Sequence, residues 1–365
     1  MELFHSLLAG AIHAGASDIH LKAGGPVIFR IRRELHPVEA PHPTAAWIQE
    51  VLGNIVPPIA RARLETEHEA DFAYTSPGGA RFRVNVYQQR GVPVLAMRYV
   101  HDRIRTFAEL QLPAIIKTIA ETRRGIILLA GAPGSGKSTT LAAMIQHLNE
   151  TTRRHIITLE DPIEYTFQDS LSVIEQREVG IDTASFPSGL RNVLRQDPDV
   201  LVIGEMREFA SVAAAISAAN LGLLVIATLH TADATRSIQR MLEFYPAAER
   251  DLARRLIAST LQAVVCQRLL TARPSGVVPA VEILINNASV AKLIEADKLD
   301  KLPGTIELGA GDGMQTFDQS LHALVTAGRI TQMEALAAAP NAEALKMRLQ
   351  GVTLSETRRI LSARE

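Results

Sequence analysis

The sequence has little cysteine, almost no net charge and no long apolar segment. Its single cysteine, Cys266, excludes a disulfide framework and any zinc module built from several cysteines, which indicates a reducing compartment. No apolar run reaches the roughly 18 residues that a membrane span needs, and the first residues lack the basic start and apolar core of a signal peptide. We therefore expect a cytoplasmic protein whose contact with a membrane is at most peripheral.

The charges of the chain nearly cancel. Lys and Arg number 38 and Asp and Glu number 39, which gives a formal net charge of −1. Because proteins that bind nucleic acid normally carry a basic excess, this balance argues against a nucleic-acid partner. The hydrophobic fraction of 47% and the charged fraction of 21% are typical of a folded globular protein, and 365 residues suffice for two or three domains.

Residues 1–101 have the patterns of a small mixed α/β domain. Its predicted elements are a helix over 3–13, strands over 18–21, 27–31 and 81–87, and a strand over 71–75 that a Ser-Pro-Gly-Gly turn joins to the last of these in a hairpin. In the clearest strand, alternation places Phe82 on the core face and Arg81 and Arg83 on the opposite face. One face of the predicted sheet therefore carries positive charge.

Residues 113–280 have the patterns of a doubly wound α/β core. Short apolar runs separated by helical stretches cover 126–130, 156–159, 200–203 and 223–228. Runs that are apolar throughout are typical of parallel strands covered by helices on both faces. We interpret 102–112 as a linker, and the Ala/Leu-rich spacing after residue 281 predicts a small helical C-terminal part over 281–365.

The strongest motif lies at residues 131–139, which read Gly-Ala-Pro-Gly-Ser-Gly-Lys-Ser-Thr and fit the phosphate-binding pattern G-x-x-x-x-G-K-[ST]. The motif follows a predicted strand and begins a helix, as its chemistry requires. In such loops backbone amides surround the phosphates, so Lys137 is expected to reach the β- and γ-oxygens and Ser138 to ligate Mg²⁺. The predicted nucleotide-binding residues are Ala132, Pro133, Gly134, Ser135, Gly136, Lys137, Ser138 and Thr139.

Acidic residues and a histidine follow three other predicted strands. Glu205 follows the apolar run 200–203 after one glycine, at a strand end where ligands of α/β proteins bind, and is a candidate metal-supporting carboxylate. The stretch 160–164, Glu-Asp-Pro-Ile-Glu, places Glu164 where it can polarise a water molecule. His230 ends a further strand and can sense the γ-phosphate. The alternatives are that the acids only cap strand ends and that His230 is a hydrogen-bonded structural residue.

These motifs, in this order, resemble those of the secretion-superfamily ATPases and, within them, the type IV pilus retraction branch. The resemblance runs over nearly the whole chain. The matching stretches are 16–21, 81–85, 131–144 (Walker A), 160–164 (the Asp box of the family), 176–179, 194–199, 204–207 (Walker B) and 228–231 (the His box).

The resemblance implies a PAS-like N-terminal domain and a RecA-like ATPase core with ATP and Mg²⁺ bound between them. It further implies a homo-hexameric ring motor on the cytoplasmic face of the inner membrane, acting through a platform protein of the pilus. In that family pattern Glu164 is the catalytic glutamate, and Glu205 is the Walker B acid and supports the metal together with Ser138. The strand-borne arginines Arg81, Arg83 and Arg98 match residues that reach the phosphates from the N-terminal domain.

Some features separate this chain from parts of the superfamily. One cysteine cannot form the four-cysteine zinc insertion of the extension and secretion ATPases, so the retraction branch is favoured. Leu223 replaces the earlier histidine of the His box. The family's Ala-Ile-Arg-Asn-Leu-Ile-Arg stretch reads Ser-Val-Ala-Lys-Leu-Ile-Glu at 289–295, which changes a partner-facing charge. An ATPase of a related secretion or conjugation system, a slow nucleotide-gated assembly factor and a DNA translocase remain alternatives.

Overall fold

The computed structural model describes residues 1–31, 34–100 and 103–351, which form two compact units. One unit contains residues 1–104, 160–167 and 176–186, and the other contains the remaining described residues. The predicted boundary between the N-terminal domain and the linker falls at His101 and Asp102, outside the described residues. Residues 352–365 of the predicted C-terminal part also lie outside them.

The first unit is built on an antiparallel sheet. Its elements are α1 (Glu2–His13), β1 (Asp18–Lys22), β2 (Ile28–Ile31), β3 (Glu34–Pro37), α2 (Ala45–Ile55), α3 (Pro58–Glu67), β4 (Glu69–Thr75), β5 (Arg81–Gln89) and β6 (Val92–Val100). Within the described residues the sheet has six strands in the order β3-β2-β1-β6-β5-β4. The first helix, the strands β1 and β2 and the hairpin of β4 with β5 confirm the sequence-based predictions.

Strand alternation separates the two faces of this sheet. Phe82 and Val84 of β5 are fully buried in the core that α1 and α2 help to fill. On the other face, the strand register aligns Arg30 with Asp18, Asp18 with Arg98, and Arg98 with Arg83. Directly opposed arginines repel one another unless an anion compensates them. This face therefore carries three arginines and one aspartate in a single row.

A larger sheet carries the phosphate-binding motif. Its elements are α4 (Ile115–Ala120), β7 (Gly125–Ala130), α5 (Lys137–Thr151), β8 (His155–Glu160), β9 (Val173–Glu178), α6 (Phe186–Val193), β10 (Val200–Ile203), α7 (Phe209–Asn220), β11 (Leu224–Leu229), α8 (Ala234–Glu243), α9 (Arg250–Thr260), β12 (Leu261–Thr271) and β13 (Val277–Ile285). Among the described residues the strand order is β13-β12-β7-β11-β10-β8-β9. The four predicted strands are present as β7, β8, β10 and β11, with the last starting one residue later than predicted.

The sheet edge formed by β12 and β13 differs from the prediction of parallel strands followed directly by helices. β12 runs parallel to β7, but β13 returns antiparallel to β12 and extends to Ile285. The helical part therefore begins at Ala288 and not at residue 281. The β-branched and apolar residues of β13 favour a strand that is buried on both faces, and the expected helical spacing applies only beyond it.

Up to residue 351, where the described part of the chain ends, five α-helices follow the sheet: α10 (Ala288–Glu295), α11 (Leu302–Leu308), α12 (Phe317–Thr326), α13 (Gln332–Ala338) and α14 (Ala342–Leu349). Asn287, Thr316, Thr331 and Asn341 each cap a helix by accepting a backbone hydrogen bond. The predicted helical character of this part is confirmed for the described residues. Across those same residues, no helix has the length and apolar character that crossing a membrane requires.

Ile226 lies at the centre of the larger sheet and is fully buried. We expect Ile226→Ala to lower the free energy of unfolding by about 2–5 kcal/mol, because the substitution removes buried methyl groups and leaves a cavity. Leu221→Ala, at a leucine that is 67% exposed, is the matched control and should change it by less than about 0.5 kcal/mol. Urea unfolding of both variants checks this, and equal shifts would contradict the assigned core.

Candidate functional site

The loop between β7 and α5 has a backbone that only glycine permits. Gly131 has φ of 145°, and a Cβ atom there would lie 2.5 Å from both the carbonyl oxygen of Gln267 and Oγ of Ser135. Gly134 and Gly136 have φ of 75° and 93°, also in the left-handed region. The loop therefore curls tightly before α5 begins at Lys137. Its amides and the first turn of α5 present positive potential at the same point.

Lys137 is folded back over this loop. Its side chain is buried, and Nζ donates to the carbonyl oxygens of Gly131 at 2.8 Å and Ala132 at 3.1 Å. Oγ of Ser135 is buried beside it without a hydrogen-bond partner. A buried ammonium group and an unsatisfied hydroxyl next to a helix N-terminus form a site that favours an anion such as a phosphate.

Glu205 lies two residues beyond the end of β10. Arg207 donates to its Oε2 at 2.8 Å, and Nε2 of His230 lies 3.1 Å from its Oε1. Burial by itself raises the pKa of Glu205, but the hydrogen bonds from Arg207 and His230 and the charge of Arg207 outweigh burial, so the pKa is lower than usual. Glu205 is therefore an ionised carboxylate at neutral pH.

His230 connects the lysine and the carboxylate. Its Nδ1 lies 3.3 Å from Nζ of Lys137, and its Nε2 faces Glu205. Since the ammonium group only donates, a neutral imidazole satisfies both contacts with the proton on Nε2. A hydrogen bond from Oγ1 of Thr228 to the carbonyl oxygen of Gly204 at 2.6 Å holds the ends of β11 and β10 together. The structure thus joins the predicted Walker A, Walker B and His-box residues in one network.

The substituted position of the His box lies elsewhere. Leu223 immediately precedes β11, whereas His230 immediately follows it. At about 3.3 Å per residue, the two side chains are separated by roughly 20 Å. Leu223 instead lines an open cavity at the amino-terminal edge of the sheet, together with Arg123, Arg153 and Arg154. The loss of a histidine there leaves the Lys137–His230–Glu205 network intact.

The Asp-box residues belong to the first unit. Glu164 is exposed, and its backbone amide donates to Oε2 of Glu160 at 3.4 Å. Asp161 is also exposed. Glu160 also accepts a hydrogen bond from Nε2 of Gln176 at 3.2 Å, so its carboxylate stabilises the conformation of this loop. The carboxylate of Glu164 is thus presented to solvent from a loop whose backbone is hydrogen-bonded.

The three predicted arginines differ in their surroundings. Arg81 pairs with Glu178 at 2.6 Å, and Arg98 donates to Asp18 at 2.8 Å while remaining 67% exposed. Arg83 forms no ion pair within the described residues and is partly exposed. Arg83 therefore has a charge that no ion pair compensates within the described residues, Arg98 is exposed although it is paired, and Arg81 is held by a buried carboxylate.

The oxygen atoms of Ser138 and Glu205 fit magnesium. Mg²⁺ prefers oxygen ligands and usually takes only one or two of them from protein, the rest coming from phosphates and water. The ionised Glu205 and the hydroxyl at the start of α5 supply this kind of donor. Over the described ranges no group of three or more His, Cys, Asp or Glu side chains could hold a metal ion by itself.

Sequence reasoning missed a small cavity beside the first turn of α5. It has a volume of about 70 Å³. Its lining includes Leu110, Leu112, Gly136, Thr140 and Leu269. The two leucines come from the segment interpreted as a linker, and Leu269 comes from β12. No motif marks the three leucines, because they lie beside the phosphate loop only after β12 has packed beside β7.

Comparisons with known proteins agree with this geometry. The family model described as "Type II/IV secretion system protein" matches residues 1–277. The chain is 37% identical over 329 residues to the type IV pilus retraction ATPase PilT of Pseudomonas aeruginosa, covering 90% of this chain and 96% of that protein. It is 36% identical over 348 residues to the type IV pilus ATPase PilU of the same organism, covering 95% of this chain and 91% of that protein.

A solved structure gives the same result. The crystal structure of the pilus retraction motor PilT with bound ADP superposes with a TM-score of 0.86 at 39% identity, covering 92% of this chain and 97% of that one. The expected fold class, a P-loop ATPase core preceded by a smaller α/β domain, is thereby confirmed. The chain belongs to the type II/IV secretion system protein family.

Proposed function

We propose that this chain is an ATP-hydrolysing motor that powers the retraction of a type IV pilus. The observation that carries the proposal is the network of Lys137, His230 and Glu205 at the end of the phosphate loop. The similarity to a pilus retraction ATPase over nine-tenths of the chain supports the pilus as the object moved.

The site residues divide the work of hydrolysis. Lys137 exchanges its contacts with loop carbonyls for the β- and γ-phosphate oxygens, and Ser138 and Glu205 hold magnesium, which neutralises phosphate charge when bound. Glu164 orients a water molecule and accepts its proton. The water oxygen forms a bond to the γ-phosphorus while the bond to the bridging oxygen breaks, and ADP leaves with that electron pair. The remaining Walker A amides, from Ala132 to Thr139, position the phosphates.

The cavity beside α5 is our proposed site for part of the nucleotide base or sugar. Its leucines offer an apolar surface next to Gly136, the last residue of the phosphate loop. Residues 102–112 then act both as the linker between the N-terminal domain and the ATPase core at 113–280 and as part of the nucleotide site.

The motor acts as a homo-hexameric ring at the cytoplasmic face of the inner membrane, where it engages the platform protein of the pilus. Of the three strand-borne arginines Arg81, Arg83 and Arg98, Arg83 has no ion pair within the described residues and Arg98 is exposed, so these two reach the phosphates and make hydrolysis depend on domain position. His230 senses the γ-phosphate through its contact with Lys137.

A related secretion or conjugation ATPase is a second candidate, and one observation favours it. In α10 the side chains of Ser289, Lys292 and Glu295 are exposed, while Val290 and Ile294 are buried. Three of the five altered positions of the retraction segment therefore lie on the surface, where they change what the helix can bind. Deleting the gene and scoring twitching motility against effector export separates the two functions.

Glu164→Gln should retain ATP binding and lower kcat by roughly 10²- to 10⁴-fold, because the amide cannot accept the proton of the attacking water. Glu65→Gln, at another exposed glutamate of the same unit, is the matched control and should keep full activity. Lys137→Ala should lose nucleotide affinity as well as turnover. Steady-state hydrolysis and nucleotide titration check these results, and unchanged turnover in Glu164→Gln would remove Glu164 from the mechanism.

The pH dependence of hydrolysis should report on Glu205. Its lowered pKa keeps the carboxylate ionised, so activity is present at neutral pH and is lost as pH falls through that pKa. Arg207→Ala removes a hydrogen bond and a charge that lower this pKa. The acidic limb of the kcat profile should therefore move to higher pH, while Arg240→Ala, at a surface arginine paired with Glu243, leaves it in place. An unshifted profile in Arg207→Ala would show that Glu205 does not set the limb.

Leu223→His should leave steady-state ATP hydrolysis unchanged, because position 223 and the nucleotide site lie at opposite ends of β11. Leu223, in place of the His-box histidine, is the feature that raises the alternative of a slow nucleotide-gated assembly factor. Steady-state ATP hydrolysis of Leu223→His tests that alternative as well. A large gain in turnover on restoring the histidine would favour that alternative over the motor.

A further inference from the structure

The first unit contains a partly buried ion pair next to the Asp box. Nη2 of Arg81 lies 2.6 Å from Oε2 of Glu178, with side-chain exposures of 21% and 3%. The same Oε2 accepts the backbone amide of Ile163 at 3.2 Å. The arginine on β5 therefore compensates a buried carboxylate, and that carboxylate in turn holds the residue directly before Glu164.

Gln176 makes a second set of contacts with the same loop. It lies two residues before Glu178 on β9, and alternation along the strand puts both side chains on one face. Its Nε2 donates to the carbonyl oxygen of Tyr165 at 2.7 Å as well as to Glu160, and its Oε1 accepts the backbone amide of Phe167 at 3.0 Å. Gln176 thus holds the residue directly after Glu164.

Together these contacts fix the backbone on both sides of Glu164 while its carboxylate stays exposed. The backbone amide of Val179, the residue after β9, also donates to the carbonyl oxygen of Glu160 at 2.9 Å. A catalytic group that must orient water depends on such backbone placement, since a displacement of about 1 Å can cost roughly a hundredfold in rate.

We propose that Gln176 and Glu178 form a clamp that positions Glu164 for attack on ATP, and that Arg81 works through Glu178 as a positioning residue and does not contact the phosphates. This inference rests on the proposed catalytic role of Glu164. Two observations assign Arg81 to the clamp: its Nη2 is engaged by a nearly inaccessible carboxylate, and its charge is already neutralised. The neighbouring Arg83, two residues along the same strand face, has no ion pair within the described part of the chain and keeps the role of reaching phosphate.

A double-mutant cycle on the full chain tests the clamp. Arg81→Ala and Glu178→Ala should each lower kcat by roughly ten- to a hundredfold and leave the affinity for ADP unchanged. The double variant should be no slower than the slower single variant, because both substitutions break the same chain of contacts. In the control cycle, Arg83→Ala and Glu178→Ala should have losses that multiply, because the two residues act separately.

Losses that multiply in the Arg81 and Glu178 cycle would overturn the proposal, since Arg81 would then act on its own. Loss of the pair can also unfold the loop, because Arg81→Ala leaves the buried carboxylate of Glu178 without a partner. The double variant Arg81→Met and Glu178→Met avoids that charge, and Gln176→Ala removes the other half of the clamp without changing charge. Folded protein with wild-type kcat in both variants would also overturn the proposal.

Measuring Glu164→Gln in parallel separates this inference from the proposed function. If Glu164→Gln abolishes turnover but the clamp variants retain it, the clamp fails and the catalytic role of Glu164 stands. If Glu164→Gln turns over normally, the catalytic role fails and the clamp fails with it. Loss of turnover in Glu164→Gln together with reduced kcat and intact ADP affinity in the clamp variants supports both.

Discussion

The parallel register of β7, β11 and β10 is the constraint on which the nucleotide site depends. Because these strands are neighbours that point the same way, the phosphate loop, His230 and Glu205 emerge at one edge of the sheet. The strands are buried throughout, so a shift of register in one of them would misplace a whole set of core side chains. The hydrophobic packing of the sheet thereby fixes the positions of polar groups that lie outside it.

At this edge of the sheet, the imidazole of His230 lies between the positive charge of Lys137 and the negative charge of Glu205. Lys137 and Glu205 each contact His230, and the lysine is otherwise satisfied by carbonyl oxygens of its own loop. Carbonyl oxygens and an imidazole nitrogen are weaker partners for an ammonium group than a carboxylate or a phosphate is. The network therefore holds the lysine in place and leaves it able to exchange these contacts for those of a triphosphate.

The sequence allowed much of the fold and the core of this site to be predicted, and the reasons for the misses are physical. A local pattern marked the phosphate loop, since its strand, glycines and helix are contiguous, and apolar runs located β7, β8, β10 and β11. The sequence-based prediction started the helical part at residue 281, whereas β13 continues to Ile285. This end of β13 was missed because apolar residues alone do not distinguish a buried strand from a helix. The partner of Arg81 was missed because 97 residues separate it from Glu178, and no periodicity connects positions so far apart.

The interleaving of segments within the first unit limits how such proteins can exchange parts. Residues 160–167 and 176–186 pack with the first 104 residues, although they lie within the stretch that encodes the larger sheet. A recombination event at residues 102–112 would combine Arg81 from one parent with Glu178 from another. Such a hybrid therefore keeps this ion pair only where one parent supplies an arginine at position 81 and the other a glutamate at position 178.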